Sequence, residues 1–239
     1  MFFLIPYHVD VPMRRLPWMN WVLIVVTICI YPFCISGDHF TNLGEHLMLG
    51  GKSWLGVVGH MFVHADIFHL LGNMLFLWVF GNAVCAKVGN LAYPLLYFGL
   101  GLVSGVLAYL FDPRPLAGAS GAINGIVGVF VVWYLLNEIT CWWGYLYFGG
   151  WGAGTVGVSS YWMVLLWLIF DIWGLFLGAQ HVSYLAHLFG LAGGVLSGIL
   201  FLTVGLVKME RGERSLLHVL AGEREDKPRK RKRRRRFVD

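Results

Sequence analysis

Six long apolar runs dominate the pattern of hydrophobic and polar positions along the chain. A hydrocarbon core about 30 Å thick requires about 20 apolar residues in each helical span, and every run approaches that length. Polar and apolar residues do not alternate within the runs, as they would in the strands of a membrane barrel. We therefore predict an all-α membrane protein, a bundle of six transmembrane helices. The predicted spans are residues 18–36, 68–85, 91–110, 120–136, 161–177 and 184–207.

The composition agrees with a membrane location and excludes an ordinary soluble domain. Hydrophobic residues make up 58% of the chain, charged residues only 13%, and the mean hydropathy is +0.68. No small-residue cleavage site follows the first run, so we expect a retained helix rather than a removed signal peptide. The chain divides into a cytoplasmic N-terminal segment (1–17), a membrane domain (18–207) and a disordered basic tail (208–239).

The distribution of lysine and arginine predicts the orientation. Sixteen of these residues flank the spans on the side that holds both termini, and only Lys52 and Arg114 lie on the other side. Positive residues are retained in the cytoplasm, so we expect both termini there, in a bacterial plasma membrane. We expect the basic run at 229–236 to lie against anionic lipid headgroups of the bilayer rather than on nucleic acid.

Polar side chains are concentrated near one end of three predicted spans. His69 and Asn73 are four residues apart and share one face of the second span, just after His64. Ser120 begins the fourth span, and His187 lies about one turn into the sixth. In the predicted topology these turns share the outer leaflet, and Ser120 and His187 differ in depth by only about 5 Å.

Glycines at four-residue spacing flank both the serine and the histidine. Small residues four apart let helix backbones approach closely, so we expect spans four and six to pack together. A lone intramembrane serine usually bonds to its own helix, and a buried histidine can simply join helices. The combination of the two at one depth favours chemistry. The glycines are Gly121 and Gly125 on span four, and Gly190, Gly194 and Gly198 on span six.

A serine and a histidine at one depth can catalyse acyl transfer. A serine hydroxyl needs a base, and a neutral imidazole suits that task, so His187 is the candidate base for Ser120. The free N–H at the start of a helix, with the side chains of His69 and Asn73, could stabilise an oxyanion. Asp171 lies near the middle of span five, which we interpret as too far inward to orient the histidine. We therefore predict a dyad and favour a helix-bridging role for Asp171.

Three ordered motifs resemble those of the rhomboid family of intramembrane serine proteases. They lie on the second, fourth and sixth predicted spans, and the resemblance covers roughly residues 55 to 205. The stretch Gly118-Ala119-Ser120-Gly121 is similar to the family's GxSG motif, Ala186-His187-Leu188-Phe189-Gly190 with Gly194 to AHxxGxxxG, and His64, His69 and Asn73 to HxxxxHxxxN.

The resemblance implies a six-helix rhomboid bundle and an endopeptidase with a Ser120–His187 dyad. It implies an oxyanion site built from His69, Asn73 and the Ser120 amide. Separately, we expect no metal and no cofactor. The implied substrate is another membrane protein, cut in or near its transmembrane segment at the outer face. The positions expected to support the site are His64, Gly118, Gly121, Asn124 and Gly190.

The chain departs from the family pattern at two places. Many members carry a Trp-Arg pair in the loop after the first span, whereas here Trp54 precedes Leu55. Many bacterial members place an aromatic residue four positions after the serine, against the histidine ring, whereas this chain has Asn124. The second departure predicts different packing around His187 and a low reaction rate.

We also considered a metalloprotease, a transporter and a non-catalytic rhomboid-like protein. A zinc protease would carry H-E-x-x-H, which does not occur, and His60, His64 and His69 lack a carboxylate or cysteine at ligand spacing. A transporter would place its polar residues near the midplane, within related halves. The main rival is a catalytically weak or inactive rhomboid-like protein that binds membrane clients. The aromatic loop at 138–160 is expected at the inner interface.

Overall fold

The computed structural model describes residues 2–147, 150–178, 182–210 and 213–222. A π-helical turn, Leu77–Gly81, joins α4 to α5, and a 3₁₀ turn, His60–Phe62, follows α3. The helices are α1 (Trp18–Cys34), α2 (Asn42–Leu47), α3 (Gly56–Gly59), α4 (Ile67–Phe76), α5 (Asn82–Val88), α6 (Ala92–Phe111), α7 (Ser120–Trp133), α8 (Ser160–Leu177), α9 (Tyr184–Thr203) and α10 (Leu216–Leu220).

Each of the six apolar runs forms a helix close to its predicted bounds. Within the described residues, four helical stretches are long and apolar enough to cross a membrane: Ile67–Val88, α6, α8 and α9. The other two apolar helices are shorter, with 17 residues in α1 and 14 in α7. The α7 helix ends at Trp133 because Tyr134 leaves the helical region, at φ −131° and ψ 38°. The count of six spans therefore stays a prediction.

The prediction of an all-α protein is confirmed only in part: the described chain is mostly helical, but it also forms a three-stranded antiparallel sheet. The segment predicted as an interfacial loop is a hairpin of β4 (Glu138–Tyr147) and β5 (Gly150–Ser159). The N-terminal strand β1 (Phe2–Val9) pairs with β4, giving the order β1-β4-β5. The β2 (Ile35–Ser36) and β3 (His39–Phe40) strands form a separate two-stranded ribbon.

The sheet forms because one of its faces can be buried. Val9 of β1 lies opposite Ile139 of β4, and both side chains belong to the main hydrophobic core. Cys141, two positions further along β4, points to the same side and is also buried. Apolar side chains at alternate positions thus attach the sheet to the helices.

The α7 and α9 helices pack closely against each other, as the glycine spacing predicted. A Cβ on Gly190 would lie 2.1 Å from the Gly121 carbonyl oxygen, and one on Gly194 would lie 1.9 Å from the Gly125 carbonyl oxygen. Real Cβ atoms essentially never approach that closely, so the two backbones touch where side chains would normally separate them. This contact brings the first turns of α7 and α9 together.

A buried polar network stabilises the far end of α4 and the π turn. The Asn20 amide donates to the Leu77 carbonyl oxygen (2.9 Å) and to Asn82 Oδ1 (2.8 Å), and Tyr93 donates to Asn20 Oδ1 (2.7 Å). A π turn shifts the carbonyls out of the regular helical pattern, so a side-chain donor can reach one of them. The network joins α1, α5 and α6 at this level.

Ion pairs fasten the segment after α9 to the rest of the protein. Lys87 at the end of α5 pairs with Glu213, and both side chains are largely buried. Arg14 pairs with Glu210 at 2.5 Å. The basic run at 229–236, which we expect on anionic headgroups, lies outside the described residues.

Candidate active site

Ser120 is the first residue of α7 and follows a loop that backbone hydrogen bonds hold in place. Leu49 and Leu116 exchange two such bonds, of 3.0 and 2.9 Å, and the Gly118 N–H donates to the His60 carbonyl oxygen at 2.8 Å. The loop is therefore joined to the segment between α2 and α4. This attachment fixes the position from which α7 begins.

Position 118 requires glycine because of its backbone conformation and because of the neighbouring His69 ring. Its φ of +127° lies in a region that side chains other than glycine rarely adopt. A Cβ at this position would lie 2.9 Å from His69 Cε1 and 3.0 Å from His69 Nε2, and 3.7 Å from the Ser120 hydroxyl oxygen. The His69 ring therefore lies against the turn that presents the serine.

His64 supports both the loop and the His69 ring. Its Nε2 accepts a long hydrogen bond of 3.5 Å from the Ala119 N–H, and its ring meets that of His69 edge to face, with 5.1 Å between the ring centroids. Burial, and then the neighbouring His69, lower the pKa of His64 to about 3. A neutral ring is also what an accepting Nε2 requires.

His187 lies in the first turn of α9 with its two ring nitrogens in different surroundings. Nδ1 is 2.8 Å from Asp171 Oδ1 on α8. Nε2 is buried and has no hydrogen-bond partner among the described residues. The ring is also packed by Tyr184, one turn earlier, at a centroid distance of 6.0 Å and an interplanar angle of 78°.

Ser120, His187, His69 and Asn73 line one cavity of about 290 Å³. These four residues come from α4, α7 and α9, as the shared depth predicted. The rest of the wall is mainly apolar and comes from α4, α7 and α8. The remaining lining residues are Phe68, Gly72, Phe76, Ile123, Asn124, Trp167, Phe170, Asp171 and Val182.

The two asparagines at the cavity differ in their hydrogen bonding. Asn124 Nδ2 donates to the carbonyl oxygen of Ser120 at 3.0 Å, so its amide is used within α7. Asn73 Nδ2 is buried and has no partner among the described residues. An unsatisfied buried donor is costly, so Asn73 is suited to a group that enters the cavity. The aromatic contact to His187 comes from Tyr184 rather than from position 124.

The remaining predicted residues act through packing. A Cβ on Gly121 would lie 2.5 Å from Ser104 Oγ and 3.5 Å from Ala186 Cβ, so glycine here lets α6 and α9 approach α7. Gly190 performs the same task one turn further along α9. Neither glycine contributes a functional group to the cavity.

The prediction that Asp171 lies too far inward is wrong. Asp171 is six residues before the C-terminal end of α8 at Leu177, and His187 is three residues after the start of α9 at Tyr184. At 1.5 Å per residue the two Cα atoms differ in depth by only about 5 Å, which two side chains can bridge. Counting both residues from the connection between α8 and α9 would have revealed this.

The histidines before α4 do not combine with carboxylates. In the part of the chain that the structure describes, no group of three His, Cys, Asp or Glu side chains could hold a metal ion. His60 Nδ1 lies 2.9 Å from the Gly56 carbonyl oxygen, to which it can donate, and burial lowers the pKa of His60. His60 thus fastens the loop rather than entering the main cavity.

Comparison with known proteins agrees with the three motifs. The Rhomboid domain family model matches residues 51–204, which is more than half of the chain. The chain belongs to the rhomboid family. With its apolar helices, this membership makes it an integral membrane protein.

Several relatives carry protease names. YdcA of Bacillus subtilis (strain 168), whose name assigns it provisionally to the rhomboid proteases, is 28% identical over 163 residues, 67% of this chain and 73% of that protein. Rhomboid protease GluP of the same organism is 33% identical over 94 residues, 39% of this chain and 18% of that protein. Rhomboid-like protein 11, chloroplastic, of Arabidopsis thaliana is 30% identical over 127 residues, 51% of this chain and 44% of that protein. The chain thus spans less than half of the last two.

Proposed function

We propose that this protein is an intramembrane serine endopeptidase in which Ser120 is the nucleophile and His187 the general base. The observation that carries the proposal is the buried, unpartnered Nε2 of His187, a residue that lines the same cavity as Ser120. A base needs a free lone pair on the nitrogen that faces the nucleophile. The protease names of several relatives support the same reaction class.

The reaction follows from these positions. The Ser120 hydroxyl transfers its proton to His187 Nε2 while Oγ bonds to the carbonyl carbon of the substrate. The resulting oxyanion accepts hydrogen bonds from the Ser120 N–H, which has no intrahelical partner, and from the His69 ring and the Asn73 amide. The His187 Nε2–H then protonates the departing amine. Water, deprotonated by the same nitrogen, hydrolyses the acyl-enzyme and releases Ser120.

The walls of the cavity suggest what the substrate is. Phe68 and Phe76 of α4 line the cavity together with Trp167 and Phe170 of α8. The Phe76 and Trp167 rings are in contact, with their centroids 4.1 Å apart. A lining of aromatic side chains suits an apolar segment rather than a soluble peptide. We therefore propose that the substrate is the transmembrane segment of another membrane protein.

The division of positive residues supports the proposed orientation of the site. Sixteen lysines and arginines would flank the spans on the cytoplasmic side, with both termini, and two would lie outside. In that arrangement, in a bacterial plasma membrane, the cavity opens in the outer leaflet. The proposed cleavage then occurs in or near the outer part of the substrate's span.

One observation favours a second candidate, a rhomboid-like protein that binds membrane clients without cutting them. In the described structure Ser120 Oγ is not hydrogen-bonded to His187 Nε2, since that nitrogen has no partner. Hydrogen bonds of this kind are often long before substrate binds, so the geometry does not exclude catalysis. The two candidates differ in whether the serine is activated.

A fluorophosphonate probe tests this directly, because it bonds to a serine Oγ only when a base takes the proton. Purified full-length protein should be labelled, Ser120→Ala should not be, and His187→Ala should be slowed by about 10³-fold or more. Ser197→Ala is the matched control, since Ser197 Oγ already donates to the Gly193 carbonyl oxygen of its own helix at 2.8 Å. Folded wild-type protein that does not react would favour client binding, and equal labelling of Ser120→Ala would exclude Ser120 as the nucleophile.

A further inference from the structure

We infer that Asp171 positions His187, so that the site is a serine–histidine–aspartate arrangement rather than a dyad; the inference rests on the proposed function. Asp171 lies on α8 and His187 on α9, and the two are 2.8 Å apart from Oδ1 to Nδ1. Their side chains are 15% and 14% exposed, so the contact is largely shielded from solvent. The contact links a carboxylate to the ring nitrogen that faces away from the reaction.

The carboxylate selects the form of the imidazole ring. An ionised carboxylate has no hydrogen to donate, so Nδ1 must carry the hydrogen of this bond. A neutral ring carries only one N–H, and Nε2 is therefore left with a free lone pair. Nε2 is the nitrogen that has no partner among the described residues. Asp171 thus holds the ring in the tautomer that can accept a proton from Ser120.

The same contact stabilises the charged ring that forms during the reaction. When Ser120 Oγ–H gives its proton to Nε2, His187 becomes a cation with an N–H on each nitrogen. The Nδ1 hydrogen stays on the ring, and the Asp171 carboxylate remains ionised beside it. A positive charge created in a shielded site is far more stable next to a fixed negative charge than alone. No atom leaves Asp171, so it is a positioning residue.

The surroundings of Asp171 contain no other partner that would explain why a carboxylate lies at this position, within the part of the chain that the structure describes. In the described ranges of the chain, no lysine or arginine pairs with its carboxylate, and His187 is the ion-pair partner. Carboxylates within membrane helices are rare and are usually functional. The contact also joins α8 to α9, so the test must distinguish positioning of His187 from a structural role.

The Asp171→Asn variant distinguishes positioning of the His187 ring from a structural role in joining α8 to α9. Asparagine has the same shape and can still bridge the helices, but its amide can donate to Nδ1 and so favour the tautomer with hydrogen on Nε2. We expect the maximal rate of fluorophosphonate labelling to fall by about 10²–10⁴-fold, as in serine proteases that lose the corresponding carboxylate. The probe concentration that gives the half-maximal rate should change by less than about threefold. The unfolding temperature should stay near that of the wild type.

Two further variants control the test. Asp171→Glu keeps a carboxylate and should recover part of the rate lost in Asp171→Asn. Gly174→Ala disturbs the same helix interface without touching the carboxylate, since its Cβ would lie 2.2 Å from the Tyr184 ring. If Asp171 only ties the helices, Asp171→Asn should label at the wild-type rate, and Gly174→Ala should lose at least as much stability as any Asp171 variant. That result would overturn the inference.

The tautomer can be measured independently of activity. Nitrogen-15 NMR of His187 in Ser120→Ala protein should show hydrogen on Nδ1, and the additional Asp171→Asn change should move it wholly or partly to Nε2. Wild-type protein that does not react with the probe would contradict the proposed function, but the NMR result would still decide whether Asp171 fixes the ring. An unchanged tautomer after Asp171→Asn would refute the inference.

Discussion

The contact between α7 and α9 predicts that two neighbouring glycines, Gly193 and Gly194, tolerate substitution by alanine to different extents. A Cβ on Gly194 would lie 1.9 Å from the Gly125 carbonyl oxygen, whereas the nearest atom to a Cβ on Gly193 is Leu100 Cδ2 at 3.6 Å. Both glycines lie in the interior of α9, so alanine should help the helix by the same amount, about 0.5–1 kcal/mol. That term cancels when the two variants are compared.

The expected magnitude follows from the distance that must open. An ordinary Cβ contact begins near 3.4 Å, so Gly194→Ala requires α9 to move away from α7 by about 1.5 Å. The obstructing atom belongs to the backbone and cannot rotate aside. Overpacking of this kind costs about 1–3 kcal/mol. For a chain of this size, about 2–4 °C per kcal/mol gives an unfolding temperature about 2–12 °C lower for Gly194→Ala than for Gly193→Ala.

The same displacement should be visible at the site. Moving α9 by about 1.5 Å alters the distance between Ser120 and His187, and a misplacement of about 1 Å can already cost about 10²-fold in rate. Fluorophosphonate labelling should therefore be slowed in Gly194→Ala and unchanged in Gly193→Ala, at a temperature where both are folded. Equal unfolding temperatures and equal labelling rates in the two variants would show that the close contact does not hold the site together.

Two further predictions concern the oxyanion donors and the orientation. Asn73→Ala should lower kcat by about 10²–10³-fold with little change in KM, because its unpartnered amide meets a charge that exists only in the transition state; an unchanged kcat would remove it from the oxyanion site. In a cysteine-free variant, a cysteine at Lys52 should react with an impermeant maleimide on intact cells and one at Asp239 should not, because the positive residues divide sixteen to two; labelling of both would contradict the orientation.

The helices and the level of the site could be predicted because both depend on positions along single segments. Continuous apolar runs predicted helices that begin and end within a few residues of those observed. The four-residue glycine spacing predicted the contact between α7 and α9, since such glycines always face one side of a helix. A count of residues from the helix ends placed Ser120, His69, Asn73 and His187 at a common depth, and they line one cavity.

The sheet was missed because strand pairing joins residues far apart in the sequence. β1 pairs with β4 across 130 residues or more, and neither strand would bury its apolar face alone. Alternation was present in 138–147, where Ile139 and Cys141 are buried, but a stretch rich in tryptophan and tyrosine next to predicted spans also suits a membrane interface. Only the pairing of β1 with β4 distinguishes a strand from an interfacial loop.

The sequence by itself thus determined which segments are helical, which of them can touch, and which polar residues share a level. The tertiary structure alone decided the partner of His187 Nδ1, the ring nitrogen that is left without a partner, and the use of the Asn124 amide within its own helix. The physical reason is rotation. Depth is set by the number of residues along a helix, whereas the direction of a side chain around the helix axis depends on how neighbouring helices pack. Asp171 reaches His187 because α8 turns that face toward α9, which no spacing within α8 specifies.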